Sequence, residues 1–301
     1  MACLTLGAVA VAIAGCSSNG AKRALNPARP TATTTPLMGT TTSTAALPAS
    51  STTTAPSPTT AASSTTSVPV VSVAATSALR AGAWSPIGLI VNGTPTLTAT
   101  LLQGRPGGPL TGVARINAAV ARPVLYAGAV EPGGSWPNQR AVTAAELPGL
   151  VAAFNSGFHT YASAGGWFDH GRSAVPLRAG AASLVIRADG SATVGLWGRD
   201  VSLTLDVVSV RQNLGLLVDG GANLSGAGSW GATLHNVRDT WRSGLGVDAA
   251  GSLLYAAGPG LDAFSLAQVL IQAGAVRAME LDINPAFVGF AYYAAQGSAG
   301  T

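Results

Sequence analysis

Two of the chain's 12 acidic residues stand two positions apart in the otherwise apolar run Ala278-Met279-Glu280-Leu281-Asp282-Ile283-Asn284-Pro285. Drawn out as a strand, this spacing puts Glu280, Asp282 and Asn284 on one face and Met279, Leu281 and Ile283 on the other. A carboxylate leaves water only at a cost unless it is partnered, so paired acids at the end of a buried strand point to a site for acid and base chemistry. A solvated outer face or a structural salt bridge would show the same spacing. Glu280 and Asp282 would project about 7 Å apart along the strand. A divalent cation held by Asp282, Glu280 and Asn284 is an open alternative, since hard cations prefer oxygen ligands, but no ligand loop is recognisable and no cofactor is specified.

Other polar residues stand at the ends of apolar runs. Phe154-Asn155-Ser156-Gly157-Phe158-His159 is an apolar approach to a bend, where Asn155 can hold a substrate hydroxyl or bond its own backbone. His159 is an acid or base near neutrality, or a structural histidine. Arg242, before the Gly-rich run Ser243-Gly244-Leu245-Gly246, can grip a phosphate or carboxylate through two bonds, or pair with Asp282 or Glu280. Leu217-Val218-Asp219-Gly220 ends a buried run in an acid, as a turn or as the edge of a site.

These groups need elements to hold them. Ser265 and Gln268 spell a capping box, Leu266, Val269, Leu270 and Ala273 follow at helical spacing, and Gly274 marks the stop, so a helix feeds the acidic strand. Hairpins are predicted where Ser183–Ile186 and Ala192–Trp197 flank Asp189-Gly190, and where Gly244–Val247 and Leu253–Ala257 flank Asp248–Gly251. Ala144–Leu150 is a short helical candidate. Runs of strands with few helices predict an α+β domain: a β-rich mixed sheet with a few helices.

Composition divides the 301 residues unequally. Residues 16–79 are dominated by Thr, Ser, Ala and Pro and are predicted to form a disordered stalk, because they offer too little apolar surface to offset chain entropy. Residues 80–301 hold all six Trp and all 12 acids and suffice for one core. Residues 1–15 read as a lipoprotein signal peptide: Leu4 to Ala14 is apolar but short of a bilayer span, and Ile13-Ala14-Gly15-Cys16 is similar to a bacterial lipobox. Cleavage there would leave Cys16 to be lipidated, tethering the protein by a membrane anchor outside the cytoplasm, in the cell envelope. Cys3 and Cys16 are the only cysteines, so residues 80–301 have no disulfide and no Cys-based metal site. Lys22 is the only lysine, which excludes a Walker lysine or a Schiff base in that domain. Beyond residue 80 the basic and acidic residues nearly balance, so there is no basic patch and nucleic acid is not an expected partner. No Gly-x-Ser-x-Gly elbow and no His-Glu-x-x-His is present.

Taken in order, Phe154–Phe158, Ser183–Gly190, Leu217–Gly220, Arg242–Val247 and Ser265–Asp282 resemble the phosphodiester glycosidase family, across about 140 residues. The resemblance implies hydrolysis of the bond between a sugar's anomeric carbon and a phosphodiester, with a carbohydrate or glycosyl-phosphate substrate. It implies roles for Arg242, Asn155 and Asp282, which stand where the family has its Arg, Asn and closing Asp. Glu280, where the family usually has a neutral residue, is taken as a second catalytic carboxylate, and Gly157, His159, Asp219, Gly246 and Asn284 are candidate substrate contacts beside Asn155. The chain departs from the family at Asp282-Ile283-Asn284-Pro285-Ala286, where a run of glycines is usual and a rigid Pro stands instead. The alternative is a catalytically inactive relative that binds envelope glycans or scaffolds a complex.

Overall fold

The computed structural model describes residues 9–14, 71–74, 78–163, 165–231, 239–295 and 298–300, with side chains left undescribed in 9–14 and 295–300. Cys16 and nearly all of the Thr/Ser-rich tract lie outside these residues.

Alternating β-branched and small residues punctuated by turns produce three sheets. The largest has nine strands, running in spatial order Ala222–Asn223, Leu216–Asp219, Ala275–Glu280, Thr240–Asp248, Leu253–Leu261, Leu110–Ile116, Thr94–Gln103, Ser85–Val91 and Val71–Val73. Every pairing in it is antiparallel. A second sheet orders Ala192–Leu196, Ala182–Arg187, Val207–Asn213, Trp167–Asp169 and Arg172–Val175. The third orders Ser298–Gly300, Phe290–Ala295, Leu150–Asn155, Val9–Ala14 and Ala121–Tyr126. There Val9–Ala14 runs parallel to both of its neighbours. Two segments read as leader and stalk thus contribute strands, Val9–Ala14 here and Val71–Val73 at the edge of the large sheet.

The expected α+β class is corrected to a β-rich fold. Among the described residues the only α-helices are Thr160–Ser163 and Ala263–Gln272, and the candidate at Ala144–Leu150 is a single 3-10 turn over Leu147–Gly149. Both predicted hairpins are present, with registers Ile186↔Ala192 and Val247↔Leu253. Tight antiparallel turns therefore take up connections that helices would otherwise make.

The large sheet is covered on both faces. Leu245, Val247, Leu253, Tyr255, Met279 and Leu281 pack toward Leu125, Phe154, Trp167 and Leu184 of the smaller sheets. Val218, Leu254, Ala256 and Ala278 pack against Leu266, Val269 and Leu270 of the long helix. The Ala275–Glu280 strand is therefore buried on its polar face as well as its apolar one, which excludes a solvated acidic face.

The helix starts earlier than the capping box implies. Asp262 is its N-cap, its carboxylate accepting from the Ser265 backbone N–H at 2.8 Å. The Ser265 hydroxyl accepts instead from Arg105 Nε at 2.8 Å. Gly274 follows the helix at φ +103°, the stop expected of it.

Candidate active site at the end of the acidic strand

Strand alternation breaks where it matters. The Leu281 N–H donates to the Ser243 carbonyl, and the Ser243 N–H donates to the Asp282 carbonyl, both at 2.8 Å. Two residues therefore oppose one, which is a β-bulge, and a bulge re-aims the side chains beyond it. Glu280 lies across from Gly244 and faces the helix. Asp282 turns to the other side, where the Tyr255 phenol feels its charge and hydrogen-bonds to Ser243. The expectation of one acidic face is corrected accordingly: the extra residue at Leu281–Asp282 sends the two acids to opposite sides of the sheet.

Glu280 and Arg242 form a buried pair. Arg242 is 2 % and Glu280 0 % exposed, and Arg242 NH1 bonds Glu280 Oε1. The guanidinium also donates through Nε to the Leu261 carbonyl at 2.9 Å and reaches the Trp230 carbonyl at 3.3 Å. Of the readings open for Arg242, the structure shows the pairing with Glu280. The other carboxylate oxygen of Glu280 has no hydrogen-bond partner among the described residues.

Burial pushes the Glu280 carboxyl up from 4.5 to about 7, against the downward pull of Arg242. Between those values the folded chain holds a proton that the unfolded chain has released. This contribution to stability is complete below pH 4.5 and is lost as the pH rises through 7, a change on the order of 3 kcal/mol. Urea denaturation between pH 4.5 and 8 should show this decline. Glu280→Gln should remove that part of the slope.

Asp282 is 2 % exposed. Its Oδ1 accepts from the backbone N–H groups of Ile283, at 2.8 Å, and Asn284, at 2.9 Å. The segments that adjoin the bulge carry polar groups whose bonding capacity is unused. Both Nδ2 and Oδ1 of Asn155, Oγ of Ser156 and Oδ1 of Asn213 are buried without a hydrogen-bond partner among the described residues. Such atoms cost about 1–3 kcal/mol each and recur where a ligand is to be met.

Asn213 ties the parts together. Its Nδ2 donates to the carbonyls of Glu280 and Leu281, at 2.6 and 3.0 Å. Gly157, at φ +125°, lies so close to its amide that a Cβ would stand 3.2 Å from Asn213 Cγ. The turn after the Leu150–Asn155 strand, the end of the Val207–Asn213 strand and the bulge before Asp282 therefore meet. Tyr255 closes the base, donating to the Gly289 carbonyl at 3.1 Å and packing its ring on Phe154 and Phe290. Burial raises its phenol above the ordinary range.

His159 stands at the rim. Its Nδ1 is 3.2 Å from Glu131 Oε1, and its ring meets Tyr161 and Phe287. Asn284 lies in the turn after Asp282, its Oδ1 accepting from the Ala286 N–H at 2.9 Å. The structure thus brings Asn155, Gly157, His159, Asp282 and Asn284 into one region. It does not bring Asp219 there: that carboxylate pairs with Arg199 at 2.7 Å and Arg277 at 3.4 Å, and Arg277 lies three residues before Glu280. Gly246 packs against Ala275 and Ala278. Among the described residues no group of three or more His, Cys, Asp or Glu could hold a metal ion, and Glu280 and Asp282, on opposite sides, cannot share one.

Asn213, Ser243, Tyr255 and Glu131 escaped the sequence reading. Only Asn213 carried a signal, an Asn closing a strand before Leu214-Gly215.

No protein-family profile and no curated protein matches the chain. Among solved structures, it is similar to the catalytic domain of zebrafish N-acetylglucosamine-1-phosphodiester alpha-N-acetylglucosaminidase auto-inhibited by its pro-peptide. The identity is 18 % over 69 % of this chain and 76 % of that one, with a TM-score of 0.47. It is also similar to a hypothetical protein from Synechocystis, at 15 % identity over 70 % of this chain and 60 % of that one, with a TM-score of 0.41.

Proposed function

We propose that the chain is a hydrolase that cleaves the glycosidic bond of a sugar-1-phosphodiester, with Asp282 as the reacting carboxylate. The observation that carries this reading is the set of unpartnered buried amide and hydroxyl groups, from Asn155, Ser156 and Asn213, on the segments that meet at the bulge that re-aims Asp282. The order of motifs from Phe154 to Asp282 supplies the substrate class.

In this reaction the water oxygen bonds to the anomeric carbon as the bond from that carbon to the phosphodiester oxygen breaks. The electron pair leaves with the phosphate. Asp282 takes the water proton and passes it on to solvent or to the leaving oxygen. The amide of Asn155 and the hydroxyl of Ser156 are fitted to bond sugar hydroxyls or phosphate oxygens. Arg242 and Glu280, bonded to each other, fix the strand that carries Asp282.

A second reading, an inactive glycan-binding or scaffolding relative, draws support from the near-complete burial of Asp282 and from Pro285 in the segment after it. An envelope location, with a lipid on Cys16, belongs to both readings. Hydrolysis of a panel of sugar-1-phosphodiesters, with and without divalent ions, separates them. Release of free sugar supports the hydrolase; saturable sugar binding without release supports the second reading.

A further inference from the structure

We propose that the stacked pair His159–Tyr161 is a platform for a pyranose ring at the rim of this site. The choice of ligand class rests on the glycosidase reading.

Tyr161 is 79 % exposed, in the first turn after the Asn155-containing bend. A single exposed aromatic residue is ordinary. This one is held in place. Its ring lies nearly parallel to the His159 imidazole, with centroids 5.1 Å apart and planes 15° apart. His159 is fixed in turn: Nδ1 is at ion-pair distance from Glu131 Oε1, 3.2 Å, though out of line for a hydrogen bond. The other oxygen of Glu131 accepts from the Thr160 N–H at 2.8 Å. One carboxylate therefore anchors both the imidazole and the backbone that carries Tyr161.

His159 also meets Phe287 in a T-shaped contact, with ring centroids 5.8 Å apart. Phe287 belongs to the turn whose first residue, Asn284, accepts its N–H at 2.8 Å, and that turn begins two residues after Asp282. The platform is thus joined on one side to the bend of Asn155 and on the other to the segment of Asp282. A rigid, exposed ring with an apolar face and a hydroxyl at its tip suits a sugar, whose C–H face stacks and whose hydroxyls need polar partners. Little side-chain freedom is left to lose on binding, because the stack exists beforehand.

The test is titration of the full chain with a panel of methyl α-pyranosides and their 1-phosphates, followed by calorimetry, with inorganic phosphate as the control. Wild type is expected to bind at least one sugar saturably. Tyr161→Ala should weaken that binding about fivefold to tenfold, the size of a ring-stacking contribution, and Tyr161→Phe should retain most of it. The ring is exposed, so neither variant threatens the fold. Equal binding by Tyr161→Ala, or no sugar binding by wild type, overturns the proposal. The two readings fail separately. Turnover with an unchanged KM in Tyr161→Ala leaves the hydrolase without the platform, and sugar binding that depends on Tyr161 in a wild type without turnover leaves the platform without the hydrolase.

Discussion

Glu280→Leu is expected to destabilise the fold by about 3–5 kcal/mol, because it takes from the buried Arg242 guanidinium its bond to the Glu280 carboxylate. A guanidinium cannot shed its proton to escape that cost. The reverse substitution differs. Arg242→Met leaves a carboxyl that is already half protonated near pH 7 and can take the proton fully, so the penalty falls to about 1–2 kcal/mol for lost hydrogen bonds. That smaller penalty should grow as the pH is raised toward 9, while the penalty of Glu280→Leu should shrink, because only the wild type loses the stability tied to the Glu280 proton. The double variant should recover most of the loss, because two apolar side chains then occupy the space of the pair. Urea denaturation of the three variants at pH 6 and pH 9 measures all of these. Equal, pH-independent penalties for both single variants would mean that the pair is not what holds this end of the strand.

Asp282→Asn should lower turnover of the sugar phosphodiester about 10²–10⁴-fold, the usual yield of a positioned acid or base. The fold should hold within about 1 kcal/mol, since the amide oxygen can still accept from the Ile283 and Asn284 N–H groups. Loss of kcat at unchanged KM is the expected pattern. A variant that turns over at the wild-type rate would remove Asp282 from the chemistry. A large fall in melting temperature would show its role to be the closure of the Ile283–Asn284 turn.

Much of this site was legible in the sequence because its carriers are local. The Asp189-Gly190 and Asp248–Gly251 turns name their own hairpins, and Gly274 names the end of its helix. Asn155, Gly157, His159 and Asp282 stand at strand ends, where short polar runs interrupt apolar ones. The rest depends on pairing between distant segments. No spacing rule locates a bulge, because the extra residue at Leu281–Asp282 appears only once Ser243 is placed opposite it. The same holds for Asp219: a strand-end acid before two glycines reads like a site, yet its register beside Arg277 commits it to an ion-pair network with Arg199 and Asp200. The helix content was overestimated because the short apolar pattern at Ala144–Leu150 reads as a helix, whereas only a 3-10 turn over Leu147–Gly149 forms there.

The strand Val9–Ala14 has a consequence for the life history of the chain. It lies inside the third sheet, hydrogen-bonded on one edge to Ala121–Tyr126 and on the other to Leu150–Asn155, the strand that delivers Asn155. It ends two residues before Cys16. A peptidase cutting ahead of Cys16 would sever an inner strand of a finished sheet, and departure of the fragment would leave two facing rows of unpaired backbone groups, an opening fitted to an incoming extended peptide. Seating in the sheet and presentation to such a peptidase would draw on the same residues, so the order of folding and cleavage would decide which form of the sheet exists. Precursor and processed chain would then differ beneath Asn155 as well as at their termini.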